Sequence, residues 1–199
     1  NYGTAIVGTV SGTGISFGTA TVFEAATTSY TSPTFDSSTG KVVIAYRDGG
    51  NSNYGTAIVG TVSGTGISFG TAVVFEAANS FWHVATFDSN ANKVVIAYRD
   101  EVNSSYGTVI AGTVSGTSIT FDSPSVFEAA AVEQTVVTFD SSASKVVVAY
   151  SDAGNSNRGT AATFTPSSTS TNLTAENYIG MSQGFAESAS TSKGTSVVF

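Results

Sequence analysis

Apolar and polar residues along the first fifty positions follow β-strand spacing, interrupted by clusters of Gly, Ser, Thr and Asp. A first strand is predicted over Gly3–Val10, ending at the Ser-Gly-Thr-Gly turn of Ser11–Gly14. A second is predicted over Ile15–Glu24, with Ile15, Phe17, Val22 and Phe23 as its apolar positions. A third, about Ser29–Phe35, closes on Asp36-Ser37-Ser38-Thr39-Gly40, residue types that hydrogen-bond their own backbone in tight turns. The fourth, Lys41–Asp48, sets Val42, Ile44 and Tyr46 on one face and Val43 and Ala45 on the other. A strand apolar on both faces belongs in the middle of a sheet that is covered on both sides.

This pattern recurs. Tyr2-Gly3-Thr4 returns as Tyr54-Gly55-Thr56, Tyr106-Gly107-Thr108 and Arg158-Gly159-Thr160; the steps 54−2, 106−54 and 158−106 are each 52 residues. Between Tyr2–Ala26 and Tyr54–Ala78 one position differs, Thr21 against Val73. Residues 1–163 therefore hold three complete repeats (2–53, 54–105, 106–157) and the start of a fourth. Residues 164–172 read as a polar, Pro-containing linker, and 173–199 as a divergent β-rich cap or the start of a next domain. Asn172-Leu173-Thr174 has the pattern of a glycosylation sequon. Tandem four-stranded antiparallel units of this length predict an all-β fold of propeller blades, with Gly3, Ala5 and Gly8 small enough to let sheets approach. A closed propeller typically has about four or more blades, so closure requires further repeats or other chains. A β-solenoid and a fibrous array of sheets are the competing arrangements.

Composition narrows the function classes. Charged residues are 11% of the chain, well below the usual quarter or so, and the net charge is −7. Seven dispersed Lys and Arg cannot make a phosphate-binding face or an anionic-membrane surface, so no nucleic-acid partner and no membrane insertion are expected. No apolar run approaches the roughly 18 residues that span a bilayer, and no signal peptide is visible. A chain beginning Asn1-Tyr2 suggests a processed product or a fragment. Cysteine is absent, which excludes disulfides, thiolate metal sites and a Cys nucleophile. High Ser, Thr and Gly with little Lys points to an extracellular, cell-surface or virion location.

The informative positions are those that differ inside otherwise constant repeats. Ser29-Tyr30-Thr31-Ser32-Pro33 is replaced by Phe81-Trp82-His83-Val84-Ala85 and then by Glu133-Gln134-Thr135-Val136-Val137. Tyr30, Phe81 and Trp82 offer flat apolar faces on which a sugar ring can stack, and His83, Glu133 and Gln134 offer hydrogen bonds. The competing explanation is aromatic packing between units, or drift. A second recurrent feature is the turn beginning at Asp48, Asp100 and Asp152, whose oxygens are weak calcium candidates. One carboxylate per turn fits better an Asp that caps backbone amides, so no cofactor is expected.

No catalytic residues are assigned. Arg47 and Arg99 occupy one repeat position, where the third repeat has Ser151, and they do not form with Arg158 the three-arginine site of a sialidase. A lone His83 excludes a multi-histidine metal centre. Glu24, Glu76 and Glu128, like Asp36, Asp88 and Asp140, repeat identically and read as scaffold rather than as the unlike groups a catalytic site brings together.

Tyr46–Tyr54 resembles a degenerate Asp-box, the turn motif of sialidase-type propellers, with its aromatic one residue late and with Glu101-Val102 replacing the glycines in the second repeat. The words Gly3–Thr13 and Phe35–Asp48, with their copies Gly55–Thr65 and Phe87–Asp100, resemble tandem repeats of marine phage tail-fibre-like and bacterial surface proteins. That resemblance implies a non-catalytic recognition or adhesion module for surface glycan, which self-associates or continues into further repeats. A purely structural fibre subunit is the alternative.

Overall fold

A computed structural model describes residues 1–167. They fold as an all-β body. Its strands are β1 (Tyr2–Ala5), β2 (Gly8–Ser11), β3 (Gly14–Phe17), β4 (Thr21–Asp36), β5 (Lys41–Asp48), β6 (Tyr54–Ser63) and β7 (Gly66–Phe69). They continue as β8 (Val73–Asp88), β9 (Lys93–Asp100), β10 (Tyr106–Ser115), β11 (Ser118–Phe121), β12 (Ser125–Asp140), β13 (Lys145–Asp152) and β14 (Arg158–Phe164). Twelve of them make one antiparallel sheet in the order β1-β4-β5-β6-β8-β9-β10-β12-β13-β14, with β7 on β6 and β11 on β10; β2 and β3 form a separate hairpin. The sheet is open: β1 and β14 are its two ends. The expected cap at 173–199, the sequon and most of the expected linker lie outside the described residues. Phe164 pairs with Val146, and Thr165 accepts a hydrogen bond from Lys145 Nζ at 2.8 Å, so the ordered ladder runs past the expected start of the linker.

The second and third predicted strands are joined. β4, β8 and β12 each run for 16 residues. Their first residues pair with one neighbour and their last with another: β8 pairs with β6 through Val73–Asn79 and with β9 through Ser80–Asp88. The predicted Ile15–Glu24 strand is instead interrupted at Gly18-Thr19-Ala20, between β3 and β4. A Cβ on Gly18 would lie 1.9 Å from the Thr65 carbonyl oxygen, and one on Gly70 would lie 1.9 Å from that of Thr117. Neighbouring repeats meet there backbone against backbone.

Lys41–Asp48 is central, as its two apolar faces require. Its edges pair with β4 and β6. One face gives Val43 and Ala45 to a core shared with Val94, Ile96, Tyr98, Ile110 and Ile119. The other gives Ile44 and Tyr46 to a core with Ile58, Ala5 and Phe23. β9 repeats the arrangement, with Val95 and Ala97 against Val146, Val148 and Tyr150. Pins of constant residues cross these cores: Phe23–Tyr46, Phe75–Tyr98 and Phe127–Tyr150 have ring centroids 5.3, 5.3 and 5.1 Å apart. The same tyrosines donate to Glu24, Glu76 and Glu128 at 3.4, 3.0 and 2.9 Å. Burial, then the nearby Asp100, pushes the Glu76 carboxyl up. These glutamates are scaffold, as their repetition implies.

The predicted first strand, Gly3–Val10, holds in the later repeats and fails in the first. β6 is unbroken along ten residues, whereas the identical residues 2–11 are split at Ile6-Val7 into β1 and β2. β5 lies along the outer edge of β6; nothing among the described residues lies along that edge of β1. Ile6 is 50% exposed where its equivalents Ile58 and Ile110 are 4% and 2% exposed. A groove of about 620 Å³, lined in part by Ala5, Val7, Val42, Ile44, Val62 and Ile67, marks the vacant position.

The Asp36 turn is built as expected: Asp36 Oδ1 accepts from the amides of Ser38 and Thr39 at 2.9 and 3.2 Å. The backbone contact at Gly70 gives a stability prediction. Gly70→Ala is expected to lower the unfolding free energy by at least the ~1–3 kcal/mol of ordinary overpacking, because the backbone carbonyl of the Thr117 turn cannot swing aside as a side chain can. Gly66→Ala, whose Cβ would come no nearer than 3.6 Å to its closest neighbour, is expected to change stability by less than about 1 kcal/mol. Urea unfolding of both variants beside the parent chain checks the pair.

Candidate functional site

The variable segments are held by a bulge in each long strand. Tyr30, Trp82 and Gln134, one repeat position, have left-handed backbone with φ of 51°, 57° and 52°. The pairing with the following strand skips there, between Ser29 and Ser32, Phe81 and Val84, and Glu133 and Val136. A non-glycine residue in this region costs of order 1–3 kcal/mol and persists where its surroundings fix it. Two cross-strand bonds do so here: the Ala85 amide donates to Ser32 Oγ at 2.9 Å, and Thr135 Oγ1 donates to the Trp82 carbonyl. Successive bulges are thereby stitched side by side. They share one end of the sheet with the Asp turns, because Thr28, Ser80 and Val132 pair with Asp48, Asp100 and Asp152.

The bulges bring most of the expected residues together. Tyr30 lies 5.1 Å from Trp82 and 5.8 Å from Phe81, ring centroid to centroid, and all three are half-buried. Glu133 and Gln134 on β12 are exposed. The sequence reading missed two arginines as members of this ledge. Arg47 sits over the Phe81 ring, 4.6 Å from its centroid, and forks onto Asn79 Oδ1 at 3.1 and 2.8 Å. Arg99 lies 5.7 Å from the same ring, 3.7 Å from Glu133 and 3.1 Å from Glu101. Strand register is the signal that could have found them: Ser29 pairs with Arg47 and Phe81 with Arg99. The ledge thus joins aromatic faces to guanidinium donors and exposed acidic and amide acceptors, a mixture that can stack on a ring and hydrogen-bond its hydroxyls.

His83 is not on this surface. It is 2% exposed, with Nε2 2.8 Å from Ser80 Oγ and its ring 5.4 Å from Phe75 and 6.2 Å from Tyr98. Nδ1 has no partner. Burial, and after it the positive charge of Arg47, pushes the imidazole down to about 3. The ring is a neutral piece of core beneath the ledge.

Asp48 Oδ1 accepts from the amides of Gly50 and Asn51 at 2.9 and 3.2 Å, and Asp100 Oδ1 from those of Val102 and Asn103, both at 3.2 Å. These are the amide-capping turns expected from the sequence. Asp152 begins a short 3₁₀ turn, Ala153–Asn155, and its buried Oδ1 has no hydrogen-bond partner among the described residues. Among the described residues no group of three or more His, Asp or Glu side chains could hold a metal ion. Comparison with family models, with curated proteins and with solved structures yields no match.

His83 sets a pH dependence. Its folded form resists protonation, so below its unfolded pKa of about 6.5 the unfolded chain binds a proton that the folded chain does not. Stability is therefore expected to fall as pH drops from about 6.5 towards 3. His83→Thr, which installs the residue found at the equivalent positions 31 and 135, is expected to flatten that slope. Thermal melts of both chains at pH 7, 5.5 and 4.5 decide it; parallel slopes would mean that the imidazole does not titrate on unfolding.

Proposed function

We propose that this chain is a non-catalytic extracellular recognition module that binds a surface glycan on the ledge formed by Tyr30, Phe81, Trp82, Arg47 and Glu133. The carrying observation is that side chains which differ between repeats, at the positions of Phe81 and Trp82, lie on adjacent bulges, while the phenylalanine, tyrosine and glutamate that pin the cores stay constant. Sugars are bound by this chemistry: an aromatic face takes the C–H surface of the ring, and charged or amide groups take its hydroxyls. Arg47 has no carboxylate within ion-pair distance among the described residues, which favours an acidic sugar over a neutral one. We read the four-stranded groups as propeller blades. Each long strand ends one group and begins the next, which is the continuity that side-by-side blades require, and the ledge would then lie on the face where the blades are joined.

One observation favours the structural alternative, a fibre subunit. Tyr30 and Trp82 also bury part of each other, so they hold β4 to β8 whether or not a ligand binds. Binding separates the two readings. On a glycan panel holding neutral and acidic sugars, the chain is expected to bind at least one class, with quenching or enhancement of the single-tryptophan fluorescence. Trp82→Ala is expected to weaken that binding about tenfold or more, near 1.4 kcal/mol, with the melting transition retained. Absence of binding to any sugar, with Trp82→Ala affecting only stability, would leave the structural subunit.

A further inference from the structure

The two ends of the sheet hold complementary parts of one group. A complete group is the late half of one long strand, the next two strands of the ladder, and the early half of the following long strand. β8 from Ser80, β9, β10 and β12 up to Ala131 make one. Among the described residues, the first end has β1, β2 and the early half of β4 without the two strands that open a group. The last end has those two, the late half of β12 and β13, followed by β14.

The groove beside β1 shows what would fill it. Inside the sheet, Val43 and Ala45 of β5 join Ala57 and Val59 of β6 in the core that holds Ile96, Tyr98 and Ile110 of the next group. In the first group Ala5 and Val7, the equivalents of Ala57 and Val59, line the groove with Val42 and Ile44. The Val and Ala of a β5-type strand are what is absent there. β13 carries them as Val147 and Ala149; its word Lys145–Asp152 differs from Lys41–Asp48 only at Val148 for Ile44 and Ser151 for Arg47. Val147 and Ala149 are half-buried, where Val43 and Ala45 have no exposed surface. The strand now beside β13 is a poor copy of β6. β14 has Ala162, Thr163 and Phe164 where β6 has Ile58, Val59 and Gly60, whereas residues 2–11 match β6 at every position.

We propose that this groove is the docking site of β13 of a second copy of the chain, residues 2–11 of one copy taking the place that β14 holds beside β13 in the other. The register of β5 on β6 then sets Tyr150 against Thr4, Ala149 against Ala5 and Val148 against Ile6. Ile6 becomes buried as Ile58 and Ile110 are, and the break at Ile6-Val7 closes. Lys145 reaches Thr9 as Lys41 reaches Thr61. The exposed Thr31 reaches the Gln134 carbonyl as Thr135 reaches that of Trp82. An unpaired edge beside an uncovered apolar face is a template for strand addition, and here the complementary strand is one the chain itself carries. The contact is head-to-tail, so copies add until a ring closes or a fibre grows. It is independent of any ligand at the ledge.

The absence of cysteine makes the test direct. A chain carrying Ala5→Cys is mixed with one carrying Ala149→Cys and mildly oxidised. A disulfide joining the two is expected, since directly opposed strand residues meet its distance requirement, with little product from either chain alone. In light scattering, the unmutated chain is expected to exceed the mass of one chain as its concentration rises. Ile6→Asp is expected to weaken that association about tenfold or more, with the melting transition retained because Ile6 is already half-exposed. A single-chain mass at every concentration overturns the proposal and leaves the groove to a partner other than this chain. A disulfide between two Ala5→Cys chains in place of the mixed one also overturns it, because the copies then meet by like edges. Association unchanged by Ile6→Asp places the contact elsewhere and overturns it too.

Discussion

A strand that is apolar on both faces and unsatisfied on both edges cannot exist without four neighbours, and the fold is organised around that demand. Lys-Val-Val-Ile-Ala-Tyr-Arg-Asp at 41–48 and 93–100 is such a strand. β4 and β6 take the edges of the first copy; the preceding and following groups take its faces. Each fully buried Val or Ile is worth about 1.5–3 kcal/mol relative to exposure, so losing one neighbour uncovers several such residues together. Stability in this molecule is therefore a property of contacts between repeats more than of any repeat alone.

That division of labour separates the constant residues from the variable ones. Phe75, Tyr98 and Glu76 are pinned where groups meet, and any change there is felt by two groups. The bulges differ in kind. Their backbone is fixed by bonds from neighbouring strands, Ala85 to Ser32 and Thr135 to Trp82. Two residues per bulge are left out of the pairing with the next strand, so their side chains carry little of the ladder's stability. Tyr30, Trp82 and Gln134 can differ without moving the scaffold. The cost of the left-handed backbone is met by the frame around it, which is the condition under which strain is usually retained at sites that bind.

The period, the central strand and the Asp36 turn were legible because each is local: a recurring word, an alternation, a side chain bonding its own amides. The long strands were not. Tyr, Trp and Gln are poor left-handed residues, so nothing in Tyr30, Trp82 or Gln134 announces a bulge in place of a break. The inward turn of His83 follows from the same feature. A bulge resets the alternation of faces, and the side on which Phe81 lies does not carry over to His83. Arg47 and Arg99 read as equivalent surface ends until register placed both guanidinium groups over one phenylalanine.

The two copies of Tyr-Gly-Thr-Ala-Ile-Val-Gly-Thr-Val-Ser show how much of this lies beyond any reading of local sequence. With β5 beside it the segment is one ten-residue strand; without such a neighbour the same ten residues are two short pieces with Ile6 turned half into solvent. Propensity, hydrophobic pattern and turn residues are identical in the two places, so the difference is tertiary by construction. The strand is as long as its partner makes it. A β-repeat of this kind specifies the shape of the surface it offers to the next unit, and each unit completes its own strands by occupying the surface before it.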